Sequence, residues 1–202
     1  MKKTVLCAVL SSGLALCGSA LAQDAGKGFY LGAGIGQSKL KDACTDLPSG
    51  LSCSDTDTAW KIFGGYQFSR YFAAELGYND FGKATASGVI SGVNVDAKVE
   101  ATAWELVGIG SWPLASALSL YGKLGLYYGE VKSRSTATIG GASGTASLSD
   151  TNGNVTFGLG ARYDITRNIA VRGEWQRYHD VGGSDTGKSD IDVLGLGVLY
   201  RF

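Results

Sequence analysis

Apolar side chains alternate with small or polar ones along most of the chain, with the period of two that is typical of β-strands. The final stretch, 191–202, shows this clearly, because one of its faces collects Leu194, Leu196, Val198, Tyr200 and Phe202. Beyond the N-terminal region, no segment has the period of an amphipathic helix that could cover such a face. Lipid is the alternative cover, and a sheet can lie in lipid only when it closes into a barrel without unpaired edges.

Eight alternating segments predict an all-β fold, an eight-stranded antiparallel up-and-down transmembrane β-barrel whose final strand pairs with the first. The segments span roughly 28–40, 58–68, 71–81, 98–112, 117–131, 153–165, 168–178 and 191–202. Tight connections at 69–70, 113–116 and 166–167 alternate with long polar ones at 41–57, 82–97, 132–152 and 179–190. Short periplasmic turns and long external loops are the pattern of outer-membrane barrels.

The proposed lipid-facing positions carry no charge and end in aromatic residues. Trp60 and Phe68 lie eight residues apart, as do Trp104 and Trp112. This interval is about 26 Å of strand, or roughly 20 Å of height at a tilt of about 40°. It matches the apolar band between two aromatic girdles. A soluble barrel is the alternative, but it has no reason to repeat this interval.

The opposite faces collect charged residues, which the alternation places in the lumen. They are Lys61, Glu75, Glu105, Lys123, Arg162, Arg172 and Glu174, with Arg201 near the periplasmic mouth. Charges in so narrow an interior are tolerated only when they are paired. We therefore predict a lumen charge cluster at mid-height, in which the two acids contact some of the three cations: Glu75, Glu174, Lys123, Arg162 and Arg172. Such a cluster is either a plug that holds the barrel together or part of a gated ion path.

The N-terminus has the form of a secretory signal, with a charged start, an apolar run and a small-residue motif that ends at Ala22. The predicted domain plan is a signal peptide over 1–22 and an outer-membrane β-barrel over 23–202. Lipidation at Cys17 is disfavoured, because the preceding Leu16 is not the small residue that a lipobox needs.

Removal of the signal leaves Cys44 and Cys53 as the two cysteines of an exported chain, which predicts one disulfide bond between them. Two thiols without neighbouring histidines do not form a zinc site. Several acids crowd the same loop and make calcium conceivable, but their spacing fits no known calcium-binding loop, so no metal is predicted. These acids are Asp42, Asp46, Asp55 and Asp57.

Composition narrows the function classes further. The net charge is zero and no basic run occurs, which argues against nucleic acid as a partner. The glycines over 32–36 precede no helix, so they do not form a dinucleotide loop, and no cofactor is predicted. His179 is the only histidine. Its position near Ser184 leaves an enzyme conceivable, but a solvated surface residue is the preferred interpretation, and no catalytic residue is assigned.

Three segments resemble the OmpA-like transmembrane domain family, namely Phe63–Gly82, Ala161–Gln176 and Leu199–Phe202. The resemblance implies an outer-membrane barrel without enzymatic activity. It also implies that the chain lacks the peptidoglycan-binding domain of larger family members. By the same resemblance, three members of the predicted cluster match interior charged positions of the family: Glu75, Lys123 and Arg172.

The aromatic end of the chain resembles the closing strand that the barrel-assembly machinery of the family recognises. Tyr200 and Phe202 are therefore the expected assembly signal. The other expected partners are outer-membrane lipid and lipopolysaccharide, and the protein is expected to be a monomer in the cell outer membrane.

Two functional hypotheses follow. The first is a barrel with a structural role in the envelope, with or without a narrow gated pore. The second is a surface adhesin that binds host or matrix ligands through loops 41–57 and 132–152. It rests on residues 135–149, which can extend two strands above the membrane and offer a partner an exposed edge.

Overall fold

Nine β-strands form the regular structure of the computed structural model, which describes residues 27–41, 44, 51–90, 93–139, 142–183 and 187–202. Among these residues no helix is long and apolar enough to cross a membrane. The predicted signal peptide lies outside them. The strands are β1 (Gly28–Leu40), β2 (Leu51–Ser54), β3 (Thr56–Gln67), β4 (Phe72–Ile90), β5 (Val93–Pro113), β6 (Leu118–Ile139), β7 (Ala142–Asp164), β8 (Ile169–Gly183) and β9 (Gly187–Arg201).

Eight of the strands close into an antiparallel up-and-down barrel, which confirms the predicted fold. Each wall strand pairs with the next, and β9 pairs back to β1 with Tyr200 opposite Leu31 and Leu196 opposite Ile35. The short strand β2 lies outside the wall, and its described pairing is with β4. The final strand therefore closes the barrel, as the alternation predicts.

The outer surface of the wall carries an apolar belt between two aromatic girdles, as predicted. Leu196, in the belt, is 72% exposed. In the outer girdle the ring of Tyr78 lies 5.8 Å from that of Trp60 and 5.1 Å from that of Trp104. In the periplasmic girdle Tyr200 packs against Phe202 at 5.2 Å. A continuous apolar belt of this kind requires lipid as its solvent.

The prediction of long loops is wrong for three of the four external connections. The strands β4 and β5 extend to Ile90 and Val93, β6 and β7 to Ile139 and Ala142, and β8 and β9 to Gly183 and Gly187. Glycine, serine, threonine and charged residues are frequent in these segments, and this composition is typical of loops. The backbone ladder continues regardless, because its hydrogen bonds do not depend on an apolar face. The predicted extension of two strands above the membrane is confirmed over 135–139 and 142–149.

Beyond the outer girdle, the extended strands form a sheet in the order β2–β4–β5–β6–β7, which we call the outer sheet. Its base meets an apolar layer inside the barrel mouth, where the ring of Tyr178 packs against Phe81 at 4.7 Å and Tyr127 at 5.5 Å. Two β-bulges occur near this level, between Asp80 and Lys83 and between Tyr178 and Val181.

Candidate functional site

Six charged side chains meet at mid-height in the lumen, and we call them the central charged layer. They are three cations and three carboxylates: Lys61, Lys123, Arg172, Glu75, Glu105 and Glu174. Each occupies an inward position of its strand. Only 1% of Glu75 and 4% of Lys123 is exposed. Because the six formal charges cancel, the layer is neutral as a whole and can remain in a narrow interior.

Glu75 of β4 is the acceptor at one side of this layer. Its Oε1 accepts a hydrogen bond from Lys123 Nζ at 3.1 Å, and its Oε2 accepts one from Arg172 Nη1 at 2.5 Å. The hydroxyl of Tyr30 donates to the same Oε2 at 3.3 Å. The Arg172 guanidinium also lies over the ring of Phe63, 3.6 Å from its centroid, which adds a cation–π contact.

Glu174 of β8 is the acceptor at the other side. Its Oε2 lies 2.9 Å from Lys123 Nζ and accepts a hydrogen bond from the Tyr121 hydroxyl at 2.8 Å. Its Oε1 pairs with Lys61. Lys123 therefore bridges the two carboxylates, and the predicted contact of both acids with lumen cations is present in the structure.

Glu105 lies at the outer side of the central charged layer, and its hydrogen-bond donors are neutral. Gln176 Nε2 and the Tyr178 hydroxyl each donate to its Oε2 at 2.7 Å. Gln176 Nε2 also contacts Thr156 Oγ1 at 2.9 Å. Through these hydrogen bonds, Glu105 connects the central charged layer to the aromatic layer at the outer mouth.

Arg162 does not join the other four members of the predicted cluster. It lies directly opposite Arg172 in the pairing of β7 with β8, so the two like charges turn apart. Arg162 Nε contacts Asp164 at 3.3 Å, and its Nη1 donates to Gln67 at 3.4 Å. Asp164 also pairs with Arg201. The assignment of Arg162 to the mid-height cluster is therefore corrected to a separate ion-pair group near the periplasmic mouth.

Several functional side chains were not assigned to the site from the sequence. Lys61 and Glu105 were placed in the lumen but not in the cluster, and the donors Tyr30, Tyr121 and Gln176 were not considered. All five lie at inward positions of alternating strands, so the period of two could have found them. Which inward residues meet depends on the register between strands, which the period leaves open.

The central charged layer separates two cavities in the lumen. The upper cavity is lined in part by Lys61, Asn79 and Glu174, and the lower one in part by Gln67 and Tyr121. Arg172 lines both, so its side chain lies in the partition between them. An ion path through the barrel would have to cross this partition.

The disulfide between Cys44 and Cys53 is confirmed, with a Cα–Cα distance of 5.8 Å. Cys53 lies in β2, so the bond ties the first external connection to the outer sheet. Among the acids of that connection, Asp55 pairs with Lys39 at 3.7 Å, while Asp42 and Asp46 lie outside the described residues.

Comparison with known proteins gives the family. The model of the OmpA-like transmembrane domain matches residues 24–202. The chain is 30% identical over 205 residues to Outer membrane protein A of Shigella flexneri, and equally to that of Yersinia pseudotuberculosis, with all of this chain and 56% of each relative aligned. It thus spans about half the length of these relatives.

Solved structures show the same fold at lower identity. Ail of Yersinia pestis, in complex with the heparin analogue sucrose octasulfate, is 18% identical with a TM-score of 0.54, covering 88% of this chain and 99% of that one. The outer membrane protein OprG from Pseudomonas aeruginosa is 14% identical with a TM-score of 0.52, covering 88% and 97%. The chain described here belongs to the OmpA-like transmembrane domain family and is a β-barrel of the Gram-negative outer membrane.

Proposed function

We propose that the protein is a structural barrel of the outer membrane whose lumen is held closed by the central charged layer. The observation that carries this proposal is the bridge made by Lys123, whose Nζ lies 3.1 Å from Glu75 and 2.9 Å from Glu174. These two acids come from β4 and β8, on different sides of the barrel. The bridge therefore joins strands that are not neighbours in the wall.

The energy of such contacts favours a closed state. Removing one partner of a buried ion pair leaves an uncompensated charge and costs about 3–5 kcal/mol. A conformation in which the bridge is broken would expose the same buried charges without their partners, so it is expected to be a minor state. Ion flow in the wild-type barrel is therefore expected to be rare, and the pore hypothesis reduces to brief openings.

Planar-bilayer recordings test this proposal. We expect little steady conductance from the wild-type protein and longer openings from Glu75→Ala, which removes one side of the bridge. Lys39→Ala is the matched control, because this lysine lies near the outer end of β1 with 62% of its side chain exposed. A steady wild-type current that Glu75→Ala leaves unchanged would overturn the proposal and favour a constitutive pore.

An adhesin is the second candidate, and the open edge of the outer sheet favours it. Residues 142–155 of β7 pair with β6, whereas the described pairing with β8 begins at Thr156. The N–H groups of Thr151 and Val155 turn away from β6 and donate to the side chains of Asp150 and Asn154, each at 2.8 Å. By the period of two, the N–H groups of 143, 145, 147 and 149 face the same way and are available to an added strand.

Proline substitutions test whether a partner binds through this edge or through another surface. Thr145→Pro together with Ser147→Pro removes two outward donors without removing a bond to β6, and the corresponding alanine variant keeps those donors. If the edge binds, the proline variant loses binding to host cells or immobilised extracellular matrix while the alanine variant retains it. Equal binding by the two variants would exclude the edge. Loss of heparin binding in Lys132→Ala with Arg134→Ala would instead identify the groove between β5, β6 and β7, which Lys98 and Glu100 also line.

A further inference from the structure

The outer mouth of the barrel places the only histidine of the chain between two carboxylates. His179 and Asp180 lie at the bulge of β8, and Asp190 lies on the neighbouring strand β9. One potential ligand atom from each of the three residues lies within 4.8 Å of the others. This group is distinct from the central charged layer.

Asp190 fixes the orientation of the imidazole. Its Oδ1 lies 2.8 Å from His179 Nδ1 and also accepts a hydrogen bond from the backbone N–H of Asp180 at 3.1 Å. An ionised carboxylate only accepts hydrogen bonds, so the proton of this contact belongs to Nδ1. The other ring nitrogen, Nε2, is therefore the one directed at a further partner.

The Asp180 carboxylate lies on the Nε2 side of the ring. His179 Nε2 lies 3.7 Å from Asp180 Oδ2. With the proton of this contact on Nδ1, Nε2 directs its lone pair toward that carboxylate oxygen, so the two atoms can act as ligands of one cation. Two basic side chains of the outer mouth, Arg177 and Lys41, instead pair with Asp192, at 2.6 and 3.6 Å.

The backbone of His179 and Asp180 is held in place by hydrogen bonds. The Tyr127 hydroxyl donates to the carbonyl of His179 at 2.6 Å, and Asn152 Nδ2 donates to that of Asp180 at 2.9 Å. Asp180 has a φ of 51°, a left-handed conformation that few residues other than glycine adopt. Residues of three strands, β6, β7 and β9, thus contact this short segment of β8 and fix the positions of its backbone atoms.

We propose that His179 Nε2 and the Asp180 carboxylate bind a divalent transition-metal ion of the zinc class at the outer mouth, with Asp190 as the positioning residue. A histidine whose second nitrogen donates to a carboxylate is the usual arrangement of a metal-binding imidazole. Zinc accepts nitrogen and oxygen ligands at about 2.0–2.2 Å, so ligand atoms 3.7 Å apart can share one ion. Water completes the coordination, and the bound ion would tie the bulge of β8 at the barrel mouth.

The single histidine makes the test direct. The full chain, refolded in detergent micelles and purified without a histidine tag, is labelled with ¹⁵N-histidine, and its ring nitrogens are recorded by NMR at neutral pH. Before metal addition we expect a protonated Nδ1 and a bare Nε2. Addition of ZnCl₂ should shift Nε2 at one equivalent while Nδ1 keeps its proton. A ring protonated on both nitrogens that does not respond to excess ZnCl₂ would overturn the proposal, because a proton would then occupy the gap.

Substitutions identify the ligands independently. Asp180→Asn removes the charged ligand, and asparagine tolerates the same left-handed backbone. We expect it to weaken zinc binding about 10- to 100-fold, and Asp190→Asn to weaken it while also changing the Nδ1 signal. Asp96→Asn, at an exposed position of β5, is the matched control and should bind as the wild type does. Wild-type affinity in Asp180→Asn would also overturn the proposal, and the wild-type spectrum decides the matter if that variant does not fold.

Discussion

Arg172 and Glu75 form a doubly hydrogen-bonded pair across the lumen, Nη1 to Oε2 at 2.5 Å and Nη2 to Oε1 at 3.3 Å. Such bidentate pairs are among the stronger polar contacts in proteins. Glu75→Ala leaves Arg172 and Lys123 without this carboxylate in a buried site. We expect the free energy of unfolding to fall by about 3–5 kcal/mol, measured by urea unfolding of the protein in lipid vesicles.

The control for this prediction is an exposed ion pair. Lys39 Nζ lies 3.7 Å from Asp55, and Lys39→Ala is expected to change the free energy of unfolding by less than about 1 kcal/mol. Equal losses in the two variants would show that burial of the Glu75 pair does not determine its contribution.

Gly82 is required by the bulge in β4. Its φ is +72°, and a Cβ there would meet the carbonyl oxygen of Thr58 at 2.6 Å and Asp57 Oδ2 at 2.7 Å. Gly82→Ala should therefore lower the free energy of unfolding by about 1–3 kcal/mol through backbone strain. Gly144→Ala is the control, because no atom lies within 4 Å of its added Cβ. Urea unfolding of both variants is the measurement, and equal stability would contradict the role of the left-handed conformation.

Asp57 gives the same region a pH dependence. The backbone N–H groups of Thr58 and Lys83 donate to its two oxygens, each at 2.8 Å, and lower its pKa below the usual value of 3.8. The folded chain therefore binds this proton less readily than the unfolded chain. The resulting stabilisation is present above the unfolded pKa and is lost as the pH falls through the lower folded pKa.

A comparison with Asp57→Asn isolates this contribution. The difference in melting temperature between wild type and variant should be constant from neutral pH to about pH 4 and should shrink below that. The amide NMR signals of Thr58 and Lys83 should shift over the same acidic range in the wild type alone. If the difference in melting temperature stays unchanged at the lowest pH, the stabilisation comes from the packing of the Asp57 side chain and not from its charge.

The alternation of side chains was sufficient to predict which residues face inward. It separates Glu75 from Leu76 and places Lys123 and Arg172 in the lumen, and closure by the final strand follows because an open edge is not tolerated in lipid. It could not predict which inward residues meet. Arg162 lies opposite Arg172 only in the register that the folded barrel adopts, and a period of two is compatible with several registers.

The outer sheet was predicted less well, for a different reason. Residues 132–139 and 142–152 are mostly small or polar, so their composition resembles that of a loop. Their ladder continues from strands already paired in the membrane, with Thr136 and Thr145 in hydrogen-bond contact at 3.2 Å. The bulge at Asp180 was also not predicted, since no glycine marks its left-handed position.

Phe202 tests whether the end of the chain is an assembly signal or a packing residue. Its ring is 59% exposed on the lipid side of the periplasmic girdle, and its backbone N–H donates to the carbonyl of Phe29 at 3.1 Å. Truncation of so exposed a ring leaves little cavity in the protein, so Phe202→Ala should lower the stability of the refolded protein no more than the loss of another lipid-facing ring of the girdle. If the ring is part of the signal, the same change should strongly lower the amount of protein assembled in the outer membrane.

Trp112→Ala is the matched control, since this ring is 73% exposed in the same girdle but lies in β5 and not at the chain end. Assembly in cells is measured by the heat-modifiable fraction in outer membranes, and stability by urea unfolding after refolding in detergent. A signal role predicts that Phe202→Ala fails in cells while Trp112→Ala assembles, with similar stability in both. If the two variants assemble equally well, the terminal aromatic acts as one more lipid-facing ring of the girdle, because its position at the end of the chain then makes no difference to insertion.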